Sequence, residues 1–266
     1  MLSESHEEVH LFIFEGDADE PKLFDNLEIK FPLNGISIKT VFGGNIYHLF
    51  KNLNDDNYLD ILTLIKQRNP KNENNLKDID PEDISAIYLF FDYDAHTKNA
   101  SDIEVEDLLK FFNDETNHGL LYISYPMIEA FRHYNDYESF KDLIVKCKRS
   151  NCPHINECEN YEPCLKEPHY KNVVHNVTDD KWKNIPAYTL EMWKELIYAH
   201  LSKMNFIMKD NYKFPDSSYK QLDIFLNQFQ KYINQDCPQV AVLSPFPIYL
   251  LDYFGAKTLK EKLKII

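Results

Sequence analysis

The chain has 266 residues and a formal net charge of −14, from 43 Asp and Glu against 29 Lys and Arg. That balance argues against a protein that coats DNA non-specifically, because such binding rests on cations neutralising phosphates. Hydrophobic residues make up 44%, enough for a sizeable core, yet no apolar run reaches the ~18 residues of a membrane span, and the acidic start Met1-Leu2-Ser3-Glu4-Ser5-His6-Glu7-Glu8 lacks the features of a secretory signal, so a cytoplasmic protein with no membrane partner is expected.

Residues 9–14 form a short apolar run with β-branched and aromatic members, which predicts a buried strand. It ends in Glu15-Gly16-Asp17-Ala18-Asp19-Glu20. Pro21 stands near the start of a helix carrying Leu23, Phe24 and Leu27. Residues 36–42 alternate at period two, a second strand, and Gly43-Gly44 follows as a tight turn. A helix is expected over 45–68, with a break near 54–57. Residues 69–83, rich in Asn, Asp, Lys and Pro, predict a surface loop.

Residues 84–91 make a third strand, ending in Asp92-Tyr93-Asp94. A helix over 104–113 and a fourth strand over 120–124 follow. Tyr125-Pro126 then opens another helix, with Met127, Ile128, Phe131 and Tyr134 near one face. Repeated strand–helix units imply an α/β fold with an open parallel sheet flanked by helices. Residues 146–180 break the pattern and hold four of the five cysteines. Beyond them lie two amphipathic helices, 190–209 and 219–233, a strand over 240–243 returning to the core, and a helix over 247–254. The expected organisation is a catalytic domain over 1–145, a cysteine-containing insertion over 146–180 and a helical C-terminal region over 181–266.

Carboxylates at the C-terminal ends of neighbouring parallel strands converge on one crevice. Several in one crevice repel one another and call for a cation, and oxygen-only ligands suit Mg²⁺ or Mn²⁺. Gly16 lets the backbone turn sharply toward a phosphate, and Glu15 is placed to serve as ligand or general acid/base. Asp92 and Asp94, two apart, share a face on an ideal strand. Polar turn residues after strands are common, so either cluster alone would say little. His96 and His133 are further candidates for a base or a phosphate contact, or plain loop and helix residues. There is no P-loop, Rossmann glycine fingerprint or Gly-x-Ser-x-Gly elbow.

The order Glu15-Gly16, Gly43-Gly44, Asp92-Tyr93-Asp94 resembles the Toprim domain, the metal-binding fold of topoisomerases, bacterial primases and OLD-family nucleases. Closer still is its nuclease branch from anti-phage and abortive-infection systems, including RloB-like proteins and the Toprim effectors of PARIS systems. That branch carries a further glutamate where Ser124-Tyr125-Pro126-Met127-Ile128-Glu129 stands here. The resemblance covers about residues 9–135. It implies catalytic roles for Glu15, Asp92, Asp94 and Glu129, and a Mg²⁺ or Mn²⁺ site from Glu15, Asp92 and Asp94 with Asp19 or Glu20. It also implies phosphodiester cleavage of RNA such as tRNA, or of DNA, under control of an ATPase partner protein. A homodimer is a further expectation. The competing readings are a non-catalytic interaction protein of a defence complex and a Toprim nucleotidyl- or phosphotransferase.

Cys147, Cys152, Cys158 and Cys164, separated by four, five and five residues, are read as structural Zn²⁺ ligands, with free cysteines as the alternative. Lys146, Lys148, Arg149, Lys166 and Lys171 make the same stretch basic. Lys148 and Arg149 are the expected substrate contacts, the alternative being a solvated surface.

Overall fold

The structure, a computed structural model, describes residues 8–55, 61–146 and 169–265. Cys147, Cys152, Cys158, Cys164, Lys148 and Arg149 lie outside the described residues.

Four strands run parallel: β1 (Val9–Phe14), β2 (Ile36–Val41), β3 (Ile84–Asp92) and β5 (Gly119–Ser124), with β4 (Asn113–Asp114) antiparallel to β5 at one edge. The order β2-β1-β3-β5-β4 reverses direction between β1 and β3, which makes the ends of those two strands the topological switch point. The sheet is therefore parallel in its main body, and the two-residue β4 is the departure from the all-parallel expectation. Asp114 accepts from the Thr116 N–H and closes the short turn back to β5.

Both faces of the sheet are covered, which is why the strands are continuous apolar runs. Phe12, Phe14, Tyr88, Phe90 and Tyr122 meet Phe24 of α1 (Asp19–Lys30) and Phe246 and Tyr249 of α10 (Pro245–Leu263) in one aromatic block. Alternate residues such as Leu11, Ile13, Leu89 and Phe91 point to the other face, where α5 (Asp102–Phe111) packs. One hydrophobic cluster joins the sheet to α8 (Leu190–Lys209) and α10.

The expected helix over 45–68 is described as α2 (Ile46–Asp55) and α3 (Ile61–Arg68). Residues 69–83 hold a helix, α4 (Pro70–Leu76), and a 3₁₀ turn, where a surface loop was expected. The polar composition concealed local caps: Asn69 accepts from the Lys71 N–H, and Pro70 fills the first helical position. Asn72 is buried because its amide pairs with both the N–H and C=O of Val41, and Asn75 bonds the Lys39 carbonyl. Together they cover the otherwise open edge of β2.

After β5 the expected helix is a single 3₁₀ turn, Ile128–Phe131, because Asp136 starts a fresh helix, α6 (Tyr137–Lys141), by accepting from Ser139. After β6 (Ile144–Lys146), α7 (Tyr170–Val177) precedes α8. α8 is buried on most of its circumference rather than amphipathic. The second amphipathic segment is α9 (Gln221–Gln228) with a π turn, Phe229–Ile233. The late strand, β7 (Gln239–Ala241), pairs with β6 in a separate ribbon. It reaches the main sheet through Leu243, whose N–H and C=O both pair with Tyr125 just past β5. No described helix is long and apolar enough to cross a membrane.

Candidate metal centre

Glu15 is the first residue past β1 and is tied to both neighbouring strands. Its N–H donates to Phe90 O at 3.0 Å, its C=O accepts from the Gly43 N–H at 2.9 Å, and its Oε2 accepts from the Asp92 N–H at 2.9 Å. Gly43, at φ +69°, turns the chain away directly after β2, so the glycine turn does stand beside Glu15. Gly16 is not left-handed; a Cβ there would meet the Glu20 carboxylate at 3.6 Å.

Asp92 ends β3 and is buried. Asp94 lies beyond the strand in a left-handed conformation, φ +50°, held by its N–H to Pro126 O at 3.2 Å. The two therefore do not share a strand face as ideal spacing predicts, but both remain buried. Glu20, in the first turn of α1, is the inward-facing member of its pair, whereas Asp19 turns toward Arg132 at 4.0 Å. Glu129, from the 3₁₀ turn after β5, is 2% exposed. Its Oε1 lies 3.8 Å from Arg132 and 3.4 Å from Lys171, and its Oε2 has no hydrogen-bond partner.

Burial, then the charges of Asp94 and Glu20, push the Glu15 carboxyl well above the usual range. Burial, then Glu15, Glu20, Asp94 and Glu129, do the same to Asp92. Glu20 and Asp94 are raised chiefly by burial, with Glu129 adding to both. His96 and His169 pull Asp94 back. Five carboxylates from four segments thus act on one another at the switch point. No family model, curated protein or solved structure matches this chain.

The donor set fits a hard cation: every inward group is a carboxylate oxygen, and buried Asp94 Oδ1 and Glu129 Oε2 lack hydrogen-bond partners. Among the described residues, no three His, Cys, Asp or Glu side chains are already gathered as a closed ligand set.

Positive groups flank the Gly43 turn and Glu129. Arg68, on α3, donates to Phe42 O at 3.1 Å and Gly43 O at 3.2 Å, and lies over the Phe42 ring. Arg132 and Lys171 stand on the Glu129 side. Sequence reasoning missed Arg68 and Arg132, since single arginines carry no spacing signal. His133 is buried against the Tyr170 hydroxyl at 3.0 Å, and burial holds it down to about 4, so it is neutral at pH 7. Trp182, Trp193 and Tyr188 are core residues.

Proposed function

We propose that this chain is a Toprim-type, Mg²⁺-dependent nuclease that cleaves phosphodiester bonds of RNA or DNA as an anti-phage effector. The observation that carries this reading is the convergence of Glu15 and Asp92 at the β1/β3 switch point, with Glu20, Asp94 and Glu129 facing the same space.

Glu15, Asp92 and Asp94, with Glu20 or Asp19, would hold the ion. When bound, Mg²⁺ or Mn²⁺ supplies charge stabilisation on the scissile phosphate and acidifies bound water. Glu15 would serve as ion ligand or as general acid/base, its carboxyl raised by burial and by Asp94 and Glu20. Lys171, 58% exposed beside Glu129, would supply positive charge for a phosphate in a chain whose net charge is −14. The acidic remainder suits docking to a basic surface on an ATPase partner in the cytoplasm. A structural Zn²⁺ on Cys147, Cys152, Cys158 and Cys164 belongs to the same proposal.

The test is cleavage of mixed tRNA, single-stranded DNA and plasmid with Mg²⁺ or Mn²⁺ by wild type, Glu15→Ala and Asp92→Ala, with cell extract added in parallel. Cleavage by wild type alone supports the reading and names the substrate class. Inactivity of wild type under every condition, extract included, favours the non-catalytic interaction protein.

A further inference from the structure

Between the end of α5 and the start of α9 the fold leaves a cavity of about 470 Å³. Clefts that take small molecules span roughly 300–1,000 Å³. Leu109, Phe112, Leu120 and Leu222 give it apolar walls, and Glu115 and Asp252 bring two carboxylates to it. Its lining holds no carboxylate of the metal centre: Leu120 lies at the start of β5, whereas the metal centre gathers at the C-terminal ends of the strands.

The charge in this cavity is unbalanced. The partners of Asp252 are neutral: the Tyr122 hydroxyl at 2.9 Å, Gln221 Nε2 at 3.4 Å and the Ser218 hydroxyl. Among the described residues, no lysine, arginine or histidine forms an ion pair with Asp252 or Glu115. Lys110, which also lines the cavity, is engaged by Glu106 at 2.7 Å and Asp107 at 3.5 Å, and Lys220 is exposed to solvent. Burial raises the Asp252 carboxyl to about 6 against the pull of its three donors, and Glu115 adds to the rise. A positive group placed in the cavity would relieve both the burial and the repulsion. An apolar pocket with a few convergent polar groups is the form of a small-molecule site, and two carboxylates without a cation set the sign of its ligand.

We propose that this cavity binds a small organic cation, an amine or amidine carried on an apolar body, with Asp252 and Glu115 as its counter-charges. The apolar body would rest on Leu109, Phe112, Leu120 and Leu222. The site does not depend on the nuclease reading.

The experiment is isothermal titration of the full chain at pH 7.5 with benzamidine and phenethylamine as probes, and with benzamide as the neutral counterpart of benzamidine. Wild type, Asp252→Asn, Glu115→Gln and Glu15→Gln are compared. Wild type is expected to bind each cation at one site and benzamide at least about 10-fold more weakly. Asp252→Asn should weaken both cations at least about 10-fold, Glu115→Gln should weaken them less, and Glu15→Gln should leave them unchanged. No saturable binding of either cation, equal binding by Asp252→Asn and wild type, or a loss confined to Glu15→Gln, which would put the cation at the metal centre, would overturn the proposal. Asparagine keeps an acceptor for Tyr122, so a folded variant is expected, and circular dichroism checks it. Were Asp252→Asn to unfold, Glu115→Gln decides: weaker cation binding supports the site, and unchanged binding overturns it.

Discussion

The Glu15 side chain accepts the backbone N–H of Asp92 at 2.9 Å, so the two strand ends that bear the acidic clusters are fixed to each other by one of the carboxylates itself. A glutamine keeps an oxygen that can accept that bond while removing the charge. Glu15→Gln is therefore expected to melt within a few degrees of wild type yet lose cleavage by at least about 100-fold. A calorimetric melt beside a cleavage time course checks both halves. An active Glu15→Gln would remove Glu15 from the chemistry.

The carboxylates also predict how stability depends on pH. Asp92 is raised by burial and by four neighbouring carboxylates, so between its unfolded and folded pKa values the folded chain holds the extra proton. Stability from this group is full below the unfolded value and is lost as pH rises through the folded one. In chelator at pH 7, Asp92→Asn should melt above wild type, and the gap should close as pH falls toward 4. Mg²⁺ should stabilise wild type, by about 2.7 kcal/mol at a hundredfold excess over its Kd, and Asp92→Asn far less. Thermal melts across pH, with and without Mg²⁺, measure this. Wild type and variant melting in parallel at every pH would mean that the carboxylates do not repel one another.

Much of the frame was legible because its signals are local. Residues 9–14 and 84–91 are apolar runs that a two-sided sheet buries, and each acidic cluster starts where its run stops. Gly43 marked a turn that proved to sit against Glu15. What was not legible depended on partners distant in sequence. Asn72 looks like a loop residue until Val41 is placed beside it 31 positions away. Glu20 and Asp19 are indistinguishable until α1 is placed, which buries Glu20 and leaves Asp19 half-buried near Arg132. His96 and His169, 73 positions apart, show no pattern in the chain at all.

Asp252 is half-buried in the wall of a cavity of about 470 Å³ and accepts from the Tyr122 hydroxyl at 2.9 Å and Gln221 Nε2 at 3.4 Å. Burial pushes it up to about 6 from 3.8, against the pull of those bonds. Its contribution to stability is full below about 3.8 and is lost as pH rises through about 6, at a cost of about 3 kcal/mol. Asparagine preserves an acceptor for Tyr122 without the charge. Asp252→Asn should therefore raise the urea midpoint at pH 7.5 and match wild type at pH 4. Destabilisation at pH 7.5 would show that the charged form is held by stronger bonds than these.

Lys171 and Arg132 both approach Glu129 but differ in exposure, and that difference separates their roles. The Lys171 side chain is 58% exposed, so its ammonium can swing from Glu129 to a phosphate, whereas Arg132 is 12% exposed and held between Asp19 and Glu129. Each cation that neutralises a phosphate contributes about 0.7–0.9 to the slope of log affinity against log salt. In the Glu15→Gln background, where substrate survives the measurement, Lys171→Ala should lower that slope by about this amount and weaken binding. Arg132→Ala should leave the slope nearly unchanged and instead tighten Mg²⁺ binding, because a positive charge beside the carboxylates is removed. Binding isotherms from low to moderate salt make the comparison. A slope that falls for Arg132→Ala and not for Lys171→Ala would reverse the assignment and place the nucleic acid on the α1 side of the crevice.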